Sequence, residues 1–242
     1  MKRVCIVCEG QTEETFVRDV LAPALYDLGL SLIPEMVETS PGHKGGALKY
    51  ERVKRHLRNT LRQNSAPVVT TLFDLYRLDS GFPGFDASQA QPDLARRLDV
   101  LKQALHADVV AAAGCQPGRF IPYIQPHEFE ALLFSDVPTL TRVEPGWQAA
   151  SDALAAARAV AESPEHINDR PETKPAAHLE RELKNPSYRG SCTRSWPCHP
   201  VLRCGFRSAR PNPLPLAPDA VPHPPVFPAL PIHSWSSRDW RC

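Results

Sequence analysis

The chain has 242 residues and a formal net charge of +1, enough length for one large domain or two small ones with a real core. Its near balance of charge excludes a chain-wide field that would draw it to nucleic acid or to a membrane surface. No apolar run approaches the ~20 residues that cross a bilayer, and the five apolar residues Val4 to Cys8 are too few for the roughly 7–15 of a secretory signal core. We therefore expect a cytoplasmic protein with reduced thiols and no membrane partner.

In chain order, Lys2–Cys8 reads as a buried strand rich in β-branched residues. Within it, Cys5 and Cys8 form a CxxC, but residues three apart on a strand point to opposite faces, so we expect two core thiols rather than a redox or zinc pair. Gln11 or Thr12 begins a helix with Glu13 and Glu14 against its positive end. Its apolar stripe runs through Phe16, Val20, Leu21, Leu25 and Leu28 and ends near Gly29. Leu30–Val37 is a second strand, and residues 41–46 form a loop. Tyr50, Val53, Leu57 and Leu61 mark an amphipathic helix; Val68–Phe73 is a strand that stops at Asp74. Residues 77–92 read as loop. Leu94, Leu98, Leu101 and Leu105 mark a third helix, Arg119–Gln125 a strand, His127–Phe134 a helix and Trp147–Glu162 an Ala-rich helix.

Composition changes at residue 186, so the expected organisation is an α/β domain over 1–185 and a tail over 186–242. The tail holds 12 of the 26 prolines and 4 of the 7 cysteines, with seven arginines and no Lys, Glu or Met. Its Pro211–Pro218 stretch excludes both helix and central strand. Two origins fit: a native proline-rich segment, or out-of-frame translation of a GC-rich gene. Scattered Cys and Trp with Arg but no Lys favour the second, because native disorder favours Lys, Glu, Ser and Gln.

Alternation of strand and helix predicts the α/β class, with a mostly parallel central sheet flanked by helices. Sites in such sheets form at the carboxyl ends of strands. Glu9 and Asp74 end two strands, and Glu128 and Glu130 follow a third. Converging carboxylates suit a hard divalent cation, which removes their mutual repulsion and assists phosphoryl chemistry. A strand-end acid taken singly is more often a cap or a solvated turn residue.

The stretches Cys8-Glu-Gly-Gln-Thr-Glu-Glu14, His43-Lys-Gly-Gly46 with Tyr50, Thr71-Leu-Phe-Asp-Leu-Tyr76, Tyr123–Phe134 and Pro164–Asp169 together resemble the bacterial domain of unknown function 4276 family. That family is grouped with the Toprim-like proteins of topoisomerases, primases and overcoming-lysogenization-defect nucleases. The resemblance implies a Toprim-like (Rossmann-like) sheet. It implies that Glu9, Asp74 and Glu128 act in catalysis, and that Glu9, Asp74, Glu128 and Glu130 are the pool of ligands for Mg2+ or Mn2+. Glu128, nearer the strand end, is preferred to Glu130. The family's Asp-x-Asp pair stands here as Asp74-Leu-Tyr76, so its second acid is missing; Asp79, Glu128 or Glu130 could substitute.

Residues 44 to 62 carry seven Lys or Arg (Lys44, Lys49, Arg52, Lys54, Arg55, Arg58, Arg62) against one acid, Glu51. A solvated helix face explains this pattern; a phosphate-binding face is the functional alternative. Lys44, Gly45 and Gly46 with Arg52 and Arg55 would then meet the backbone of nucleic acid, with DNA the expected partner. His127 is a general base, an orienter or a core histidine. The functional expectation is divalent-metal-dependent cleavage of nucleic-acid phosphodiesters, in phage defence or DNA maintenance, with a separate ATPase partner. The alternative is a non-catalytic nucleotide- or partner-binding module.

Overall fold

A computed structural model describes residues 1–40, 43–44, 48–167 and 174–188. The chain opens with β1 (Lys2–Cys8) and α1 (Gln11–Phe16), which passes through a π-helical stretch, Val17–Leu21, into α2 (Ala22–Tyr26). There follow β2 (Leu30–Met36), the short β3 (Glu38–Ser40) and β4 (His43–Lys44), α3 (Tyr50–Leu61) and β5 (Val68–Asp74). A 3₁₀ turn at Leu75–Arg77 leads to α4 (Phe85–Gln89) and the long α5 (Leu94–Ala113). Next come β6 (Phe120–Ile121), β7 (Ile124–Gln125), a 3₁₀ segment at Phe129–Asp136, α6 (Val137–Arg142), α7 (Ser151–Ala159) and α8 (Pro175–Glu182). The expected proline-rich tail lies outside the described residues from 189 onward, as do Gly45, Gly46 and residues 168–173.

The central sheet has five strands in the order β2-β1-β5-β6, with β7 further along the same edge of β5, and every pair in it is parallel. This is the α/β class expected. β3 and β4 form a separate antiparallel pair. The β1 run is apolar on both faces because both faces are covered. Val4, Ile6 and Cys8 pack on one side with Phe16, Val17, Val20 and Phe129. Cys5, Val7, Val69 and Phe73 pack on the other with Val53, Leu57 and Leu61 of α3 and Leu101 and Leu105 of α5. The two thiols therefore belong to opposite cores, and both are free and buried. Among the described residues no helix is long and apolar enough to cross a membrane.

Several elements differ from their sequence pattern, each for a local reason. The first helix ends at Tyr26, and Leu28 is 65% exposed. Leu28 lies beyond the helix, in the turn that Gly29 closes at φ +76° before β2. The expected loop 77–92 contains α4, too short to show a period; it starts after Gly84 at φ +78°, where an added Cβ would lie 2.8 Å from the Ala104 Cβ. The expected strand 119–125 is two pieces because Pro122 cannot donate to the ladder. The break is spliced by Thr71, whose hydroxyl accepts from Tyr123 N–H at 3.0 Å and donates to Tyr123 C=O at 2.6 Å. Helix formation after His127 is delayed to Phe129 and takes the 3₁₀ form. The Ala-rich stretch begins as a 3₁₀ turn, Pro145–Ala150, before α7.

Packing continues past residue 185. Trp147 is wholly buried, donates its indole N–H to Pro186 C=O at 2.7 Å and meets the Tyr188 ring at 6.4 Å.

Candidate functional site

β1 and β5 are adjacent, and Cys8 pairs with Leu72. The two strands therefore end side by side and deliver Glu9 and Asp74 to one edge of the sheet. Glu9 is 2% exposed and Asp74 6%. The Asp74 backbone N–H donates to Glu9 Oε2 at 3.3 Å. Arg77, carried back by the 3₁₀ turn that follows β5, donates from Nη1 to Glu9 Oε1 at 2.7 Å. Both oxygens of Glu9 are thus engaged. No hydrogen-bond donor among the described residues meets the Asp74 carboxyl oxygens.

Two more acids close the group. Glu13 sits in the first turn of α1, buried, and reaches back to accept the Gly10 N–H at 3.0 Å. This is half of a capping box. Glu130, in the first turn of the Phe129–Asp136 segment, is half-buried. Burial, then repulsion from Glu13, Glu9, Glu130 and Glu128, holds the Asp74 carboxyl well above its usual range. Glu9 is raised by burial, against the lowering pull of Arg77, and Glu13 is raised by burial and by Glu9. Burial, with repulsion from Glu128 and Glu13, pushes Glu130 up to about 7.

Glu128 is differently placed. It accepts from Lys174 Nζ at 2.7 Å and from Ala176 N–H at 3.1 Å, so its carboxylate anchors the first turn of α8. Of the two acids weighed after the third strand, Glu130 is the one without such an anchor. Asp79 accepts the Gly81 N–H at 3.0 Å and shapes a turn. Tyr76, at the position of the missing second acid, is 40% exposed. Its ring lies 5.3 Å from that of His127, and its N–H donates to His127 C=O at 3.3 Å. His127 is buried at φ +57°, a left-handed conformation costly for a residue with a side chain and typical of functional segments. Gln125, buried, pairs across the ladder with Asp74.

Sequence reasoning did not single out Glu13 or Arg77 as site residues. Glu13 lies one helical turn beyond Glu9 and Arg77 three residues beyond Asp74, but neither interval by itself turns a side chain toward the site.

The basic segment divides. Lys54 pairs with Asp108 at 2.8 Å, beside the Tyr50 hydroxyl that donates to the same carboxylate, and this tie holds α3 on α5. Arg62 donates to the Ala112 and Ala113 carbonyls at the end of α5. Arg52, Arg55 and Arg58, with Glu51 and Lys54, line a shallow depression along α3. Lys44 stands on β4; Gly45 and Gly46 are outside the described residues.

An oxygen-only donor set fits a hard dication in its chemistry. Among the described residues, no three His, Cys, Asp or Glu side chains form a ready-made cage. Magnesium does not require one, being held through one or two carboxylates with water and substrate phosphate.

The fold and the carboxyl-edge acids define an α/β protein with a buried polycarboxylate site at the ends of two adjacent parallel strands. The chain belongs to the family Domain of unknown function (DUF4276), whose model matches residues 8–194. No curated protein and no solved structure matches it.

Proposed function

We propose that this protein is a Toprim-like subunit that cleaves nucleic-acid phosphodiesters with the help of Mg2+ or Mn2+. The observation that supports the reading is the pairing of Glu9 with a buried Asp74 at neighbouring strand ends, whose carboxyl meets no donor among the described residues and is held well above its usual range, an arrangement a cation would relieve. Asp74 and Glu9 would hold the ion, with Glu130 beside them. A bound dication supplies Lewis acidity toward a phosphate oxygen and an acidified water. Glu130, with its carboxyl pushed up to about 7, is suited to take a proton from an attacking water and release it again. Arg52 and Arg55 on α3, with Lys44, would position the phosphate backbone. DNA as substrate, a separate ATPase partner and a role in phage defence follow by analogy from the Toprim resemblance alone.

A second reading is a non-catalytic module that binds a nucleotide or partner. It is favoured by Tyr76 in place of the second acid and by the Arg77–Glu9 ion pair. One experiment separates the two. The full chain is incubated with supercoiled and single-stranded DNA in manganese, beside Asp74→Asn. Cleavage lost in the variant supports the nuclease. Retention of DNA without cleavage, equal in both proteins, supports the binding module.

A further inference from the structure

We propose that the outer face of α3 is a landing surface for a nucleic-acid strand, on which Arg52, Arg55 and Arg58 grip successive phosphates without any metal. This deepens the nucleic-acid reading above and rests on it. It adds where a strand lies beyond the bond to be cut and what holds it there.

The helix sequence builds the surface. Tyr50, Val53, Leu57, Thr60 and Leu61 are buried and fix the inward stripe of α3. At 3.6 residues per turn Arg55 stands opposite that stripe, with Arg52 and Arg58 about 60° to either side of it. Each step of three residues also climbs about 4.5 Å along the axis, on the order of the ~3.4 Å between charges on one strand of DNA. The three guanidiniums therefore make a diagonal row across the solvent face. With Lys54 and Glu51 they line a depression of about 500 Å³. Glu51 is the one acid among the described residues that line it.

Two cations of this segment are committed to the fold: Lys54 to Asp108, and Arg62 to carbonyls at the end of α5. Arg55 and Arg58 are not, and neither pairs with an acid among the described residues. Arg58 donates from Nη2 to Asn59 Oδ1 at 3.5 Å, while its Nε is buried and meets no acceptor among the described residues. A buried donor left unmet costs free energy, which a phosphate oxygen recovers through a charge-assisted bond.

Placement favours a strand over other polyanions. Leu48, two residues before α3, bridges Leu78, the residue after Arg77. The Tyr50 ring lies 5.1 Å from that of Phe82. The start of α3 is thus moored to the turn that leaves Asp74, and a strand lying along the row runs toward the acid edge. Among the described residues no large exposed apolar side chain accompanies the row, as a lipid surface would require.

The test is fluorescence anisotropy of a short labelled single-stranded DNA on the full chain, in chelator and over rising salt. Arg55→Gln and Arg58→Gln should each weaken binding about threefold or more at low salt and lower the slope of log affinity against log salt by about 0.7. Lys2→Gln, exposed at the opposite end of β1 from Glu9, should change neither. Arg55 is exposed, so its variant folds whatever Arg58 packs against. The proposal is overturned if both arginine variants keep the wild-type slope and affinity, or if the chain binds vesicles of anionic phospholipid and not DNA. Manganese-dependent cleavage alongside an unchanged slope sinks this inference alone. A chain that neither retains nor cleaves DNA sinks the nucleic-acid reading, and this inference with it.

Discussion

The backbone N–H of Asp74 donates to Glu9 Oε2, so the last residue of β5 is tied to the residue that follows β1. The bond joins two strands whose ladder closes at Cys8 and Leu72. It fixes Glu9 by means of the peptide of the very residue whose carboxyl it repels. The site is held together by a backbone dipole and Arg77, against the electrostatic preference of its acids.

That preference sets the first expectation. Asp74→Asn replaces a buried carboxyl, held well above its usual range and met by no donor among the described residues, with a neutral amide of almost the same volume. In chelator it should stabilise the protein by about 1–3 kcal/mol while abolishing manganese binding. Thermal unfolding and calorimetry read the two effects. A loss of stability would instead make Asp74 a structural cap.

The acids also make stability depend on pH in a direction opposite to that of salt-bridged carboxylates. Glu130 is raised from 4.5 to about 7. Below 4.5 both folded and unfolded chains hold its proton. Between 4.5 and about 7 the folded chain keeps a proton that the unfolded chain has lost, so this contribution to stability falls as pH rises through that window. Glu9, Glu13 and Asp74, also raised, steepen the fall; Arg77 keeps its charge throughout. We expect unfolding midpoints in chelator to decline from pH 5 to pH 8 through these groups, with a shallower decline in Glu130→Gln. Equal slopes in the two proteins would show that the Glu130 carboxyl is solvated.

Glu128 leads elsewhere. Its bonds to Lys174 and to the start of α8 make Lys174→Ala a test of that anchor. Because Lys174 is partly exposed, the cost should be about 1–3 kcal/mol. Amide exchange should rise in α8 while the affinity for manganese stays within twofold. A large loss of affinity would bring Glu128 back among the ion's ligands.

Tyr76→Asp restores an acid two residues beyond Asp74 at a position already 40% exposed, so it should fold without loss of core. It is expected to tighten manganese binding severalfold. Unchanged affinity would mean that residue 76 faces His127 rather than the ion.

Much of the fold was legible because period and length agreed. The Tyr50, Val53, Leu57 and Leu61 stripe became α3 with all four residues buried, and the apolar run to Cys8 became β1. The failures share a cause: local geometry that carries no period. The helix stopped at Tyr26 and left Leu28 in a turn, and a proline split the strand after Arg119. In the site, Glu9 and Asp74 were legible because a strand end is a position, and position is readable. Glu13 looked like an ordinary helix-dipole acid, and no spacing rule reveals that its side chain is buried beside Glu9. Arg77 was hidden in a turn, where direction depends on backbone angles rather than on sequence interval.

Thr71 carries a burden out of proportion to its size. Pro122 leaves a gap in the outer strand, and the Thr71 hydroxyl bridges it by bonding both backbone groups of Tyr123. The ladder resumes beyond it at Phe73–Ile124 and Asp74–Gln125, and the Tyr76 N–H bond to His127 C=O carries the alignment on toward Glu128 and Glu130. Valine would match threonine in shape and strand preference yet could not make the splice. Here the sheet works like a hinged rule riveted at its break: an oxygen atom in the middle of a strand closes the gap, and the ladder beyond it carries the far arm to the acids.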